Sequence, residues 1–108
     1  MNEKLDLNTK NMITVMFMQA LLGVISPNFR RVALKFDELA WDLSFVLEAN
    51  DATDRDEIKD AVDEFSCLLS DININNVKLK TEIIINPEPL CVLDSIEYRT
   101  VFRRREVN

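Results

Sequence analysis

The chain has 108 residues, 47% of them apolar and 30% charged. That allows one domain over residues 1–108 with a modest core needing neither metal nor disulfide, and excludes a disordered polymer. A single glycine rules out glycine-rich phosphate loops, and the absence of histidine removes Ser-His-Asp and Cys-His nucleophiles, the usual zinc ligand sets and the ordinary neutral-pH base.

Residues 1–7 read as a polar, loose start. Asn8 or Thr9 can cap a first helix running to about Val24 or Ile25, where Gly23, Ser26 and Pro27 end it. Met12, Ile13, Val15, Met16, Phe17, Met18, Ala20, Leu21 and Leu22 make this helix apolar on nearly every side. Such a helix is either buried, here between the sheet and the second helix, or pressed against another chain as a homodimer seam. Its methionines suit core gaps or an adaptable contact surface equally. The run is broken by Thr14, Gln19 and Gly23 and is too short to span a bilayer. The first ten residues carry no net positive charge, so no secretory signal is read there.

Residues 29–37 alternate Val32, Leu34 and Phe36 with Arg31, Ala33 and Lys35, the pattern of a half-buried strand. After a short turn at 38–40, residues 41–49 alternate again. Trp41, Leu43, Phe45 and Leu47 point inward; Asp42, Ser44, Val46 and Glu48 point outward. Two such runs so close together predict an antiparallel hairpin.

A second helix is predicted over residues 53–71. Thr53 or Asp54 serves as N-cap, with Asp56 or Glu57 as capping-box partner. Ile58, Ala61, Val62, Phe65, Leu68, Leu69 and Ile72 form one stripe at helical spacing, and Asp56, Glu57, Asp60, Asp63, Glu64 and Asp71 fall opposite. Residues 48–64 hold eight acids and two bases, a net −6 that equals the net charge of the whole chain. The negative field is therefore local to this helix and the loop leading into it. Like charges at i, i+4 (Asp56/Asp60, Asp60/Glu64) cost a few tenths of a kcal/mol each. A solvated acidic face is the plain account of such a row, and a binding face the sharper one. A calcium loop starting at Asp51 fails, because Thr53 and Arg55 occupy ligand positions and no glycine follows. Cys67 falls on the polar side of the helix; with Cys91 it makes no metal spacing and no CxxC, and a reducing cytoplasm is the expected setting.

Asn73, Asn75 and Asn76 mark a turn. Residues 77–85 give the clearest strand pattern, with Val77, Leu79, Thr81, Ile83 and Ile85 on one face, stopped by Asn86-Pro87-Glu88-Pro89. Leu90 to Leu93 are expected over a core edge. Residues 98–104 alternate once more and are expected to pair with 77–85. The order α-β-β-α-β-β predicts an α+β fold, two helices packed on a four-stranded, mostly antiparallel sheet.

Three chemistries compete for the charged residues. Arg103, Arg104 and Arg105 could meet phosphate, but an acidic chain lacks the broad basic surface of a nucleic-acid binder. The carboxylate row could hold catalytic metal, but acids along one helix face diverge into water instead of converging on a pocket. The third is recognition of a basic protein, which needs no histidine, glycine loop, cofactor or metal.

The run Ile25-Ser26-Pro27-Asn28-Phe29-Arg30 after an apolar helix, and the ending Tyr98-Arg99 with Phe102-Arg103-Arg104-Arg105-Glu106, resemble the immunity proteins encoded beside bacterial contact-dependent growth inhibition toxins. Size, element order and acidity are similar over most of the chain. The resemblance implies a cytoplasmic, non-enzymatic inhibitor that binds the C-terminal nuclease domain of its cognate toxin and protects sister cells. It carries over no functional residue. The expected binding residues come from the charge pattern alone: Asp51, Asp54, Asp56, Glu57, Asp60, Asp63 and Glu64. No catalytic residue, metal, cofactor, nucleic acid or membrane is expected; the alternative is a small structural or adaptor subunit that homodimerises through the first helix.

Overall fold

A computed structural model of the chain describes residues 5–37, 40–86 and 98–105. Within them lie α1 (Leu7–Ala20), β1 (Phe29–Phe36), β2 (Trp41–Leu47), α2 (Ala52–Asp71), β3 (Leu79–Ile85) and β4 (Tyr98–Arg103), in the expected α-β-β-α-β-β order. The strands form one sheet in the order β3-β2-β1-β4. The expected turn at 38–40, except Ala40, and the apolar segment from Leu90 to Leu93, with Cys91, lie outside the described residues.

The hairpin forms as expected. β1 and β2 run antiparallel, with Phe36 opposite Trp41, Leu34 opposite Leu43 and Val32 opposite Phe45. These pairs face the helices. Phe17 of α1 touches Phe45 edge-on at 6.2 Å between ring centres and Phe65 of α2 at 5.1 Å, so one aromatic side chain joins the sheet to both helices. Ile13, Phe17, Phe29, Leu34, Leu43, Phe45, Ile58 and Phe65 make the centre of the core.

The sheet is mostly antiparallel as expected, with one parallel pair, and one expectation about it is corrected. β4 pairs antiparallel with β1, placing Tyr98 opposite Lys35 and Arg103 opposite Arg31, and does not lie beside β3. β3 pairs parallel with β2, from Trp41/Leu79 to Leu47/Ile85. The reason is the position of α2. A strand–helix–strand passage returns the chain to the start of the sheet, so the second strand runs parallel to the first. β1 already occupies one side of β2, so β3 takes the other, and the remaining edge of β1 is open to β4. Cross-strand contacts favour that edge: the Arg31 guanidinium donates to the Thr100 hydroxyl at 3.2 Å, and Arg31 and Lys35 sit over the Tyr98 ring at 5.8 and 5.5 Å.

Strict alternation also fails on the two central strands. Ala33, Ser44 and Val46, expected outward, are buried too, on the two strands that have a neighbour on each side. At the bulge between Phe29 and Arg31, Arg30 is buried as well. Arg30 is 3% exposed and donates to the Asn86 carbonyl at 2.9 Å.

α1 starts earlier and stops earlier than the apolar run. Asp6 is its N-cap, not Asn8 or Thr9, and accepts from the Thr9 backbone N–H at 2.7 Å. The helix ends at Ala20 because Gly23 takes φ +81°, a left-handed conformation closed by the Val24 N–H to Leu21 carbonyl bond of 3.0 Å. α1 is not sandwiched between sheet and second helix. It lies beside α2 in a single layer, so only one side of it is covered.

Candidate partner-binding face

The acidic face is set by how α2 begins. Asp51, not Thr53 or Asp54, is the N-cap, and its carboxylate accepts from the Asp54 N–H at 2.9 Å. The helix axis then places Ile58, Ala61, Phe65 and Leu69 on the core, with Val62 and Leu68 half-buried at the flanks. At its far end Asn73 adopts φ 65°, and the Ile74 N–H reaches back to the Leu69 carbonyl at 2.9 Å, a Schellman closure that tucks Ile74 against the core.

With both ends fixed, the acids separate into two groups. Asp51, Asp56, Glu57, Asp60, Asp63 and Glu64 are exposed, with Asp71 beyond them. Asp54 is not: it is 6% exposed, and its Oδ2 accepts from the Asn28 side-chain amide at 2.9 Å. Expected among the binding residues, it lies beneath the exposed row instead. The spacing carried the signal, since Asp54 lies four residues before Ile58 and so on the apolar stripe.

Among the described residues the row is not neutralised from within. Among the described residues, none of Asp56, Glu57, Asp60, Asp63 and Glu64 takes part in an ion pair. The C-terminal arginine that reaches toward this end of the molecule, Arg104, bonds Glu48 at 2.8 Å and the Pro27 carbonyl at 2.9 Å. Arg55 is directed at Asn50. Cys67 is an exposed free thiol on the same helix. Among the described residues no group of three or more acids and cysteines could hold a metal ion. Carboxylates along one convex helix face can attract and orient a cationic surface, but they do not converge on a reacting atom.

A second exposed feature adjoins the row. On the uncovered side of α1 and the turn after it, Leu7, Met12, Val15, Met18 and Leu22 are open to solvent. Its signal in the sequence is the uncharged run from Asn11 to Phe29, nineteen residues in a chain that is 30% charged.

The chain's class is that of the immunity proteins, which bind and neutralise a cognate toxin. It belongs to the MafI2 immunity protein family, whose model matches residues 10–106. No curated protein matches the chain. The two segments that carried the resemblance meet in space: the Arg104 N–H donates to the Arg30 carbonyl at 2.9 Å, and the Arg104 side chain holds Pro27. No helix among the described residues is long and apolar enough to cross a membrane.

Proposed function

We propose that this chain, in the cytoplasm, neutralises a contact-delivered toxin by covering a basic, nucleic-acid-binding surface of the toxin's C-terminal nuclease domain with the outward face of α2. Asp51, Asp56, Glu57, Asp60, Asp63 and Glu64 supply the contacts, and Asp54 acts beneath them by fixing the start of the helix. The observation that supports this reading is a row of exposed carboxylates without ion-pair partners among the described residues, on a helix pinned at both ends. Each acid stands where a phosphate would, so the inhibitor takes the place of the substrate and imitates its charge. Rigid placement matters, because a preorganised anionic surface loses little entropy on docking. Opposite potentials steer encounter, and the complex forms fast at low salt. Occupancy is the whole mechanism, so no catalytic group is required.

The test is the triple variant D56K/D60K/E64K. These side chains are exposed, so the apolar stripe beneath them is untouched and the fold is expected to survive. Binding to the toxin domain encoded beside this chain, and protection of growing cells from it, are expected to be lost. A folded triple variant that still binds tightly rejects this face. Alkylation of Cys67, followed by peptide mass, gives an independent footprint: the complex is expected to slow it.

A further inference from the structure

We infer that the uncovered side of α1 forms the apolar half of the same docking surface, and that its occupant is a toxin surface in which an apolar patch is bordered by lysine and arginine side chains. This rests on the reading of α2 as the acidic half.

The geometry comes first. α1 and α2 lie side by side on one face of the sheet and touch through Phe17 and Phe65, so their uncovered sides look out from the same side of the molecule. α2 offers carboxylates there. α1 offers Leu7, Met12, Val15, Met18 and Leu22, of which Val15 is 54% and Leu22 79% exposed. Val15 and Met18 stand three residues apart on the helix, and Leu22 follows in the turn just beyond its end. Asn8, Asn11 and Gln19 are the polar residues among them, and none is charged. Scattered exposed apolar residues need no account, but a ridge of them without a single charge is what an interface core looks like.

Charge decides the occupant. A second copy seated face to face on α1 with antiparallel helices would bring its own acidic α2 opposite this one. Among the described residues, the helix layer has only Lys10, Arg55 and Lys59 to set against that row. Like potentials across an interface oppose association. A basic partner meets both stripes at once: its cations face α2, and its apolar patch covers the ridge on α1. Apolar anchors at the centre and charges at the rim are the usual division of labour in protein interfaces, the first holding the complex and the second guiding its formation.

The experiment compares two variants of the full chain against the toxin domain encoded beside it. The first, V15Q/M18Q/L22Q, keeps net charge and helix-forming residues and removes the ridge. The second is D56K/D60K/E64K. Circular dichroism and melting confirm that each is folded. The ridge variant is expected to lose affinity on the order of 100-fold, mainly through faster dissociation, with the salt dependence of association unchanged. Unchanged affinity of the folded ridge variant, while the acid variant fails, overturns this inference and leaves the α2 reading standing. Unchanged affinity of both variants overturns both. A wild-type chain that sizes as a dimer, and that the ridge substitutions convert to a monomer, overturns the assignment of the occupant and makes the ridge a homodimer seam.

Discussion

Asn28 joins Asp54 across the molecule. Its side-chain amide donates to Asp54 Oδ2 at 2.9 Å and to the Ala49 carbonyl at 2.7 Å, while its Oδ1 accepts from the Ala49 N–H at 2.9 Å. One side chain therefore ties the entry to β1, the exit from β2 and the first turn of α2. The Ser26 hydroxyl in turn accepts from the Asn28 N–H at 3.2 Å, so the Ser-Pro-Asn segment is a built joint rather than a loose loop. Removing the amide strands a carboxylate that is 6% exposed. Asn28→Ala is expected to destabilise by about 2 kcal/mol, and Asn28→Asp by more, because two carboxylates then face each other. Denaturant midpoints measure both; Asp54→Asn, which keeps a hydrogen-bonding group, is expected to be the mildest of the three.

Phe17 is fully buried between Phe45 and Phe65. It is where α1 grips both the sheet and α2, so a cavity there loosens the whole helix layer. Phe17→Ala is expected to cost about 3–5 kcal/mol, a large share of the stability of a chain of this size. Phe17→Leu is expected to cost well under half of that. Guanidinium unfolding of the two variants checks the ratio.

Two left-handed residues close the two helices. Gly23 at φ +81° has open space around it, so a methyl group added there meets no atom and the effect of substitution is backbone conformation alone. Gly23→Ala is expected to cost about 1–2 kcal/mol. Asn73 at φ 65° already tolerates that region, so Asn73→Gly is expected to be neutral or slightly stabilising, while Asn73→Val destabilises by more than the alanine variant at 23. Melting temperatures of the four proteins rank these outcomes.

The elements themselves were legible in the sequence because their periods are clean. The stripe from Ile58 to Leu69 appears in the structure as read, and the alternation from Trp41 to Leu47 puts Trp41, Leu43, Phe45 and Leu47 in the core as expected, although Ser44 and Val46 are buried too. Caps slipped by two or three residues at Asp6 and Asp51, since several Asn, Asp and Thr residues crowd each helix start and each can accept the same N–H. The partner of β4 was not legible. Alternation states which side chains face the core but not which neighbouring edge a strand takes, and that depended on the return path through α2. The acidic row was readable by angle, and Asp54 could have been removed from it by the same count. The exposed side of α1 was not decided by its composition: an all-round apolar helix reads either as buried or as a contact surface, and the structure leaves one side of it open.

Asp6 gives a pH dependence of known sign. Hydrogen bonds from the Thr9 hydroxyl and the Thr9 backbone N–H hold its carboxyl below the usual carboxylate range. A depressed folded-state value means that the charged cap stabilises above the ordinary carboxylate range and that this stability is lost as pH falls through the folded value. Asp6→Asn keeps the capping acceptor and removes the titration. The melting temperature of wild type minus that of Asp6→Asn is expected to be positive near pH 6 and to shrink towards zero by about pH 2. A difference that is flat over this range counts against the cap. Because the carboxylate is exposed, added salt is expected to reduce the difference.

Asp60 sits between Asp56 and Glu64 at four-residue spacing, and none of the three is in an ion pair among the described residues. Asp60→Lys converts two repulsive neighbours into attractive ones, so it is expected to raise stability by roughly 0.5–1 kcal/mol. A helix kept only to cover the core would gain from that change without loss. If the row exists to meet cations, the more stable variant is the poorer inhibitor: its association rate with the toxin domain falls, and the decline of that rate with ionic strength becomes shallower. Thermal melting and stopped-flow association, run on the same two proteins, separate the cases. Greater stability with an unchanged association rate and unchanged salt slope makes the acids a solvated surface. Greater stability with slower, less salt-sensitive association shows that repulsion along the helix is held in place by what it binds.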